Sequence, residues 1–257
     1  MLTPFAHLTS IRGQVAVVTG GTAGIGGACT RRFAQEGATT IAIGRYPAKG
    51  EALIQELRAQ GCDAHFLACD CIDETAVTAT SKMILERWGR ADILCNIAGG
   101  WIEAPPIEEV TLAALHHSFA WNVQAKFLIT KALVPAMKNN GYGRIVMMSS
   151  STGRRGRVAA ALQYSTMEAG VIGLTRKLAI ELAPFGITVN AIAPGTTLTP
   201  RAQRHSQERL DATARTIPIG RLGTPDELAH AIWYLCTPGA SFTVGAVLDV
   251  NGGNWTG

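Results

Sequence analysis

The chain has 257 residues, of which 47% are hydrophobic, 16% charged and 6% aromatic. That apolar content excludes a disordered solvating chain, and the 28 glycines follow no triplet period, which excludes a collagen-like one. A formal charge of +4, with one basic cluster at Arg154, Arg155 and Arg157, leaves no electrostatic footprint for nucleic acid or a membrane surface. The chain is long enough to bury a core without staples. Its six cysteines sit in apolar or helix-like stretches and read as small core residues of a reducing compartment. Cys69-Asp70-Cys71 has no second Cys/His pair at matching spacing, so no metal site is expected. Residues 1–12 lack the n- and h-regions of a signal peptide, and no apolar run reaches a membrane span. A soluble, cytoplasmic protein is the expectation.

In chain order, strand-like runs fall at Gln14–Thr19, Thr39–Ile43, Ala64–Leu67, Ala91–Asn96, Arg144–Met148, Thr188–Ile192 and Val247–Val250. Several are apolar throughout, as strands covered on both faces are. Helical patterns separate them at Ile25–Glu36, Ala48–Gln60, Glu74–Arg87, Leu112–Lys138, Gln163–Ala183 and Pro225–Leu235. Thr224-Pro225 reads as an N-cap followed by a first-turn proline. This alternation predicts a single-domain α/β doubly wound Rossmann fold with a seven-stranded parallel sheet. Residues 196–218 form a polar insert beyond the sixth strand, where such folds bind ligands, and are the candidate substrate lid.

The first strand runs into Thr19-Gly20-Gly21-Thr22-Ala23-Gly24-Ile25-Gly26 and then an amphipathic helix. Glycines permit positive φ and close backbone approach, and a helix N-terminus offers free N–H groups to an anion. Strand before and helix after are the context that a dinucleotide-binding turn requires. Gly20, Thr22, Gly24, Ile25 and Gly26 are therefore candidate cofactor contacts. The second strand ends in Gly44-Arg45 rather than in an acidic residue, which suits a ribose 2′-phosphate and favours NADP(H), with NAD(H) the alternative.

From about Gly13 to Gly253 the sequence resembles the short-chain dehydrogenase/reductase family. The resemblance rests on Thr19-Gly20-x-x-x-Gly24-x-Gly26, Ala68-Cys69-Asp70, Asn96-Ile97-Ala98-Gly99, Asn122, Ser150, Tyr164, Pro194-Gly195 with Thr199, and Asn251-Gly252-Gly253. It implies that Asp70, with Cys71, meets the adenine and that Asn96, Ala98 and Gly99 line the cofactor. It further implies that Pro194, Gly195, Thr197 and Thr199 hold the carboxamide, and that Asn122 braces a proton-relay water. Ser150 and Tyr164 are then the catalytic hydroxyls. Independently of the family, hydride transfer to a carbonyl leaves an alkoxide; a phenol can protonate it while a serine hydroxyl holds the same oxygen.

One position departs from the family's Tyr-x-x-x-Lys pattern, because this chain reads Tyr164-Ser165-Thr166-Met167-Glu168. Four residues apart on a helix, Glu168 should lie near Tyr164. A carboxylate can accept ribose hydroxyls as the family lysine does, but it disfavours phenolate where the lysine favours it. Three readings stay open: a reductase compensated by substrate or by Arg154, Arg155 or Arg157; non-redox lyase, isomerase or ligand-binding use of the fold, with Glu168 as base; or an introduced substitution. The expected activity is reduction of a small carbonyl compound, a cyclic or aromatic ketone, to its alcohol. Trp101, Ile102, Pro105 and Pro106 are expected to form an apolar substrate wall. Ala120, Phe127, Ile172 and Leu178 exceed what one sheet covers and hint at partner helices, and the resemblance implies a homotetramer or homodimer.

Overall fold

The computed structural model describes residues 5–101, 104–157 and 160–257. The elements run α1 (Ala6–Thr9), β1 (Val15–Thr19), α2 (Gly24–Gln35), β2 (Thr39–Gly44), α3 (Pro47–Ala59), β3 (Ala64–Ala68), α4 (Glu74–Trp88), β4 (Ile93–Asn96), α5 (Leu112–Phe119), α6 (Ala125–Asn140), β5 (Gly143–Met148), α7 (Leu162–Leu182), β6 (Ile187–Pro194), α8 (Gln207–Arg215), α9 (Pro225–Cys236) and β7 (Val247–Val250). The seven strands form one sheet in the order β3-β2-β1-β4-β5-β6-β7, and every pairing is parallel. The expected single α/β sheet is what the chain builds.

Alternation along the strands divides the core. Val15 and Val17 of β1 face one layer with Ile84, Leu128, Ile129 and Val171 from α4, α6 and α7. Ala16 and Val18 face the other, with Phe33, Leu228 and Ile232 from α2 and α9. With both faces covered, β1, β4 and β6 are buried from end to end. The strand order reverses beside β1, between β2 and β4, which leaves a crevice at the carboxyl ends of the strands.

Helix ends follow local chemistry. Asp73 caps α4 by accepting from the N–H groups of Thr75 and Ala76, and Gly89 closes it at φ 72°. Thr224 and Glu227 form a reciprocal capping box on α9, with Pro225 in its first turn.

Two stretches differ from the sequence expectation. The run Leu112–Lys138 is not one helix: a π-helical turn, Ala120–Gln124, separates α5 from α6. The apolar stripe continues across that turn, so periodicity does not register the wider winding. Within residues 196–218, α8 is a helix with no buried residue, so it carries no apolar stripe to read. The four residues put forward as partner-facing also divide. Phe127 is 46% exposed, whereas Ile172 is 5% exposed and belongs to this chain's own interior. Among the described residues no helix is long and apolar enough to cross a membrane.

Candidate active site

A cleft of about 580 Å³ runs along the carboxyl ends of the strands, and its walls carry every candidate catalytic and cofactor residue except Asn96. At one end lies the glycine turn. Gly20 and Gly24 have φ of 64° and 53°, where side chains are strained. A Cβ on Gly26 would stand 2.1 Å from the carbonyl oxygen of Gly20, so α2 can start this close to the strand only with glycine there. The Ala23 side chain makes no capping hydrogen bond, and the first N–H groups of α2 open toward the cleft. Thr19 Oγ1 accepts from the N–H groups of Ile97 and Ala98, both at 3.1 Å, tying the turn to the loop after β4.

Beyond the turn, Gly44, Arg45, Tyr46 and Lys49 line the cleft beside Thr22. A Cβ on Gly44 would meet Thr22 Cγ2 at 2.9 Å, so the absence of a side chain there keeps the pocket open. The Arg45 guanidinium sits 5.6 Å from the centre of the Tyr46 ring. On the facing wall Asp70 accepts from the Ile72 N–H at 3.4 Å. Cys69 and Cys71 flank it and share a hydrogen bond, which lowers the Cys69 pKa and raises that of Cys71.

At the other end the chemical groups converge. Ser150 caps the short turn after β5, its Oγ accepting from the Thr152 N–H at 3.2 Å. Tyr164, in the first turn of α7, shares the same cleft wall. Burial raises the Tyr164 pKa well above the ordinary phenol value and the charge of Glu168 raises it further, while the hydrogen bond with Ser150 and the charge of Arg201 pull it back. Glu168 follows one turn later, 2% exposed, with Oε2 lacking a hydrogen-bond partner among the described residues. Its carboxyl is raised to about 7 by burial, against the lowering influence of Lys126 and Ser149. Asn122 lies in the π-helical turn; its side chain accepts from Gly100 N–H at 2.8 Å and donates to the carbonyls of Gly100 and Ser118.

Pro194 and Gly195 end β6, and a Cβ on Gly195 would press within 2.8 Å of Asn251 Cα. Thr197 donates to the Gly195 carbonyl at 3.2 Å, and Thr199 accepts from the Ala202 N–H at 3.3 Å.

Three sequence expectations need correction. Asn96 is fully buried behind the wall, donating to Thr130 at 2.9 Å; it braces β4 against α6 and does not face the cleft. The basic cluster is turned away: Arg154 pairs with Asp249 at 3.1 Å and donates to the Gly257 carbonyl, and Arg155 donates to Asn254. None of Arg154, Arg155 and Arg157 lines the cleft. Of the expected apolar wall, Trp101 lines it, Pro105 and Pro106 do not, and Ile102 lies outside the described residues. Trp121, Arg201 and Arg204 complete that end instead.

Lys126 was missed by sequence reasoning. It lies on α6, four residues after Asn122, is 1% exposed and lines the cleft. A lysine in a helical run reads as a solvated face; only its spacing from Asn122 pointed inward.

The close glycine turn, the free helix N-terminus and the unpartnered Glu168 oxygen fit a dinucleotide lying along the cleft, diphosphate at α2 and nicotinamide end beside Tyr164. Such a site on a doubly wound sheet is that of a dinucleotide-dependent oxidoreductase fold. The family model described as Enoyl-(Acyl carrier protein) reductase matches residues 20–254. The 3-oxoacyl-(acyl-carrier-protein) reductase FabG of Aquifex aeolicus is 34% identical over 244 residues, covering 95% of this chain and 98% of that protein. A 2-dehydro-3-deoxy-L-rhamnonate dehydrogenase (NAD(+)) of Sphingomonas is also 34% identical, covering 95% and 96%. The crystal structure of an actinorhodin polyketide ketoreductase variant with NADPH superposes with a TM-score of 0.90 at 34% identity, covering 94% and 97%. The chain belongs to the short-chain dehydrogenase/reductase family.

Proposed function

We propose that this protein is an NADP(H)-dependent reductase that converts a small ketone to its alcohol. The observation that carries the reading is the meeting of Ser150 and Tyr164 on the wall of the cleft whose far end is the glycine turn. A nicotinamide bound there supplies the hydride. Ser150 Oγ holds the carbonyl oxygen, and Tyr164, whose proton is firmly retained, donates it as the oxygen gains charge. A raised phenol pKa leaves little phenolate to serve as the base of alcohol oxidation, whereas the neutral phenol that reduction needs is fully present. The ketoacyl and polyketide ketoreductase names among the relatives support this substrate class.

Arg45 and Lys49 beside the small Gly44 support a 2′-phosphate and hence NADP(H); the NAD(+)-named relative keeps NAD(H) as the alternative. Residues 196–218 act as the substrate lid, since Thr197, Thr199, Arg201 and Arg204 line the cleft while α8 stays outside. The exposed Phe119, Phe127 and Ile180 suit a homotetramer or homodimer, and size-exclusion chromatography showing a monomer at micromolar concentration contradicts that assembly.

A second reading rests on Glu168. A buried carboxyl with a pKa of about 7 is suited to general-base work, as a lyase or isomerase needs. NADPH consumption against a ketone panel, by the natural chain and by Glu168→Lys, separates the two. Turnover by the natural chain supports the reductase; turnover by the lysine variant alone favours non-redox use.

A further inference from the structure

The family pattern carries a cation on α7, at the position where this chain has Glu168. The structure holds one on a different element. Lys126 Nζ donates to the main-chain carbonyls of Ala98 at 3.0 Å and Asn122 at 2.8 Å, with 1% of the residue exposed. An ammonium has three donors, and among the described residues two are taken. The room is provided by Gly99 at φ 144°: a Cβ there would stand 2.6 Å from Asn122 Oδ1 and 3.1 Å from Lys126 Nζ. Glu168, equally buried and lining the same cleft, makes no direct ion pair with it among the described residues and leaves Oε2 unpartnered there. Each residue alone would be a costly buried charge, and neither is neutralised by any other ionised group in contact.

We propose that Lys126 is the positioning cation of this active centre, favouring the ionised form of the Glu168 carboxyl against its burial so that its free oxygen accepts the hydroxyls of a bound nicotinamide ribose. Where the family pattern has a single cation on α7, this chain has an anion there and a cation on α6, so the two charges on the wall beneath Tyr164 offset each other. This inference rests on the dinucleotide reading of the cleft. The groups facing the pair are Tyr164 from α7, Cys71 from the loop after β3, Ser149 from the end of β5 and Arg201 from the insert after β6. Burial lowers the Lys126 pKa and the charge of Glu168 opposes that, while Cys71, with its pKa raised, stands by as a neutral thiol and Arg201 acts on Tyr164.

The test compares the natural chain with Lys126→Gln, Lys126→Met, Glu168→Gln and the double variant Lys126→Met/Glu168→Lys. Lys126→Gln keeps a donor for the two carbonyls and removes only the charge. Difference infrared spectroscopy of the cofactor-free protein, with Glu168→Gln as blank, reads the ionisation of Glu168 directly. The midpoint is expected to move up by about one pH unit or more in both lysine variants. Fluorescence titration with NADPH between pH 6 and 9 is expected to show affinity rising with Glu168 ionisation, the rise shifted to higher pH in Lys126→Gln and absent in Glu168→Gln. At neutral pH that shift is a loss of about tenfold. The double variant, which returns the cation to α7, is expected to bind more tightly than either Lys126→Met or Glu168→Gln. An unchanged infrared midpoint in Lys126→Gln overturns the proposal, as does a double variant as weak as the two losses combined. Failure of the natural chain to bind NADPH or NADH overturns the dinucleotide reading instead, and the infrared midpoint still decides whether Lys126 controls Glu168.

Discussion

The two ends of the cleft are built from different materials. At the glycine turn the walls are main chain: Gly20, Gly24 and Gly26 shape the bend, and the uncapped N–H groups of α2 begin there. At the other end the walls are ionisable side chains, Tyr164, Glu168 and Lys126, each moved from its ordinary pKa by burial. A turn made of main chain admits few sequences, because a single added carbon, as at Gly26, collides with the backbone of the turn itself. A charged wall constrains only the sum of its charges, and any element that reaches it can supply the cation. The first end therefore resists change in sequence, while the second can be rebuilt from a different helix.

The comparison predicts unequal consequences of substitution. The largest effect falls on Tyr164→Phe, which removes the proton donor and leaves the main-chain cradle intact; steady-state kinetics should show kcat lower by about 10²–10⁴-fold with NADPH affinity retained. Gly26→Ala strikes the opposite end. Its added carbon overlaps the Gly20 carbonyl, and calorimetry should record a loss of about 3 kcal/mol together with weakened NADPH binding. Equal stability of Gly26→Ala and the natural chain would erase the distinction between the two ends.

Glu168→Gln sharpens the comparison through pH. The carboxyl is raised from 4.5 to about 7 in the folded chain, so the protonated form is the one folding favours. Its contribution to stability is complete below about pH 4.5 and is lost as pH rises through about 7. Denaturant unfolding at pH 5 and pH 8 should show this decline, on the order of 1–3 kcal/mol, in the natural chain and a flatter profile in the glutamine variant. The smallest effect is expected for Arg45→Ala, which should reduce the preference for NADPH over NADH by about tenfold, read from the two dissociation constants.

The same division explains what could be read from the sequence. The turn at Gly20–Gly26 and the parallel strands were legible, because spacing and residue type determine them before any packing is known; Ser150 and Tyr164 came from the family resemblance, and both line the cleft. Asn96 was assigned to the cofactor from its motif, yet its Nδ2 reaches Thr130, and only the packing of α6 on β4 reveals that. The arginines at 154 and 155 matched the charge the site needed, but Asp249 and Asn254, almost a hundred residues away in sequence, hold them elsewhere. Helix α8 escaped notice because it buries nothing. Lys126 escaped because a helical lysine is ordinarily solvated, and its inward course depends on the room left at Gly99.

The π-helical turn at Ala120–Gln124 has a consequence for how this protein tolerates drift in length. Winding there accommodates one residue more than an ordinary turn, and everything downstream in α6 is phased to it. Deleting that extra residue would restore an ordinary turn and leave the following helix in register, whereas inserting one more would rotate it by about 100°. Leu128, Ile129, Leu133 and Met137 would leave the interior in the same stroke that swung Lys126 off its carbonyls. Selection for a packed interior thus also preserves the phase of the ammonium group, and a chain that loses only the extra residue should keep that lysine in place.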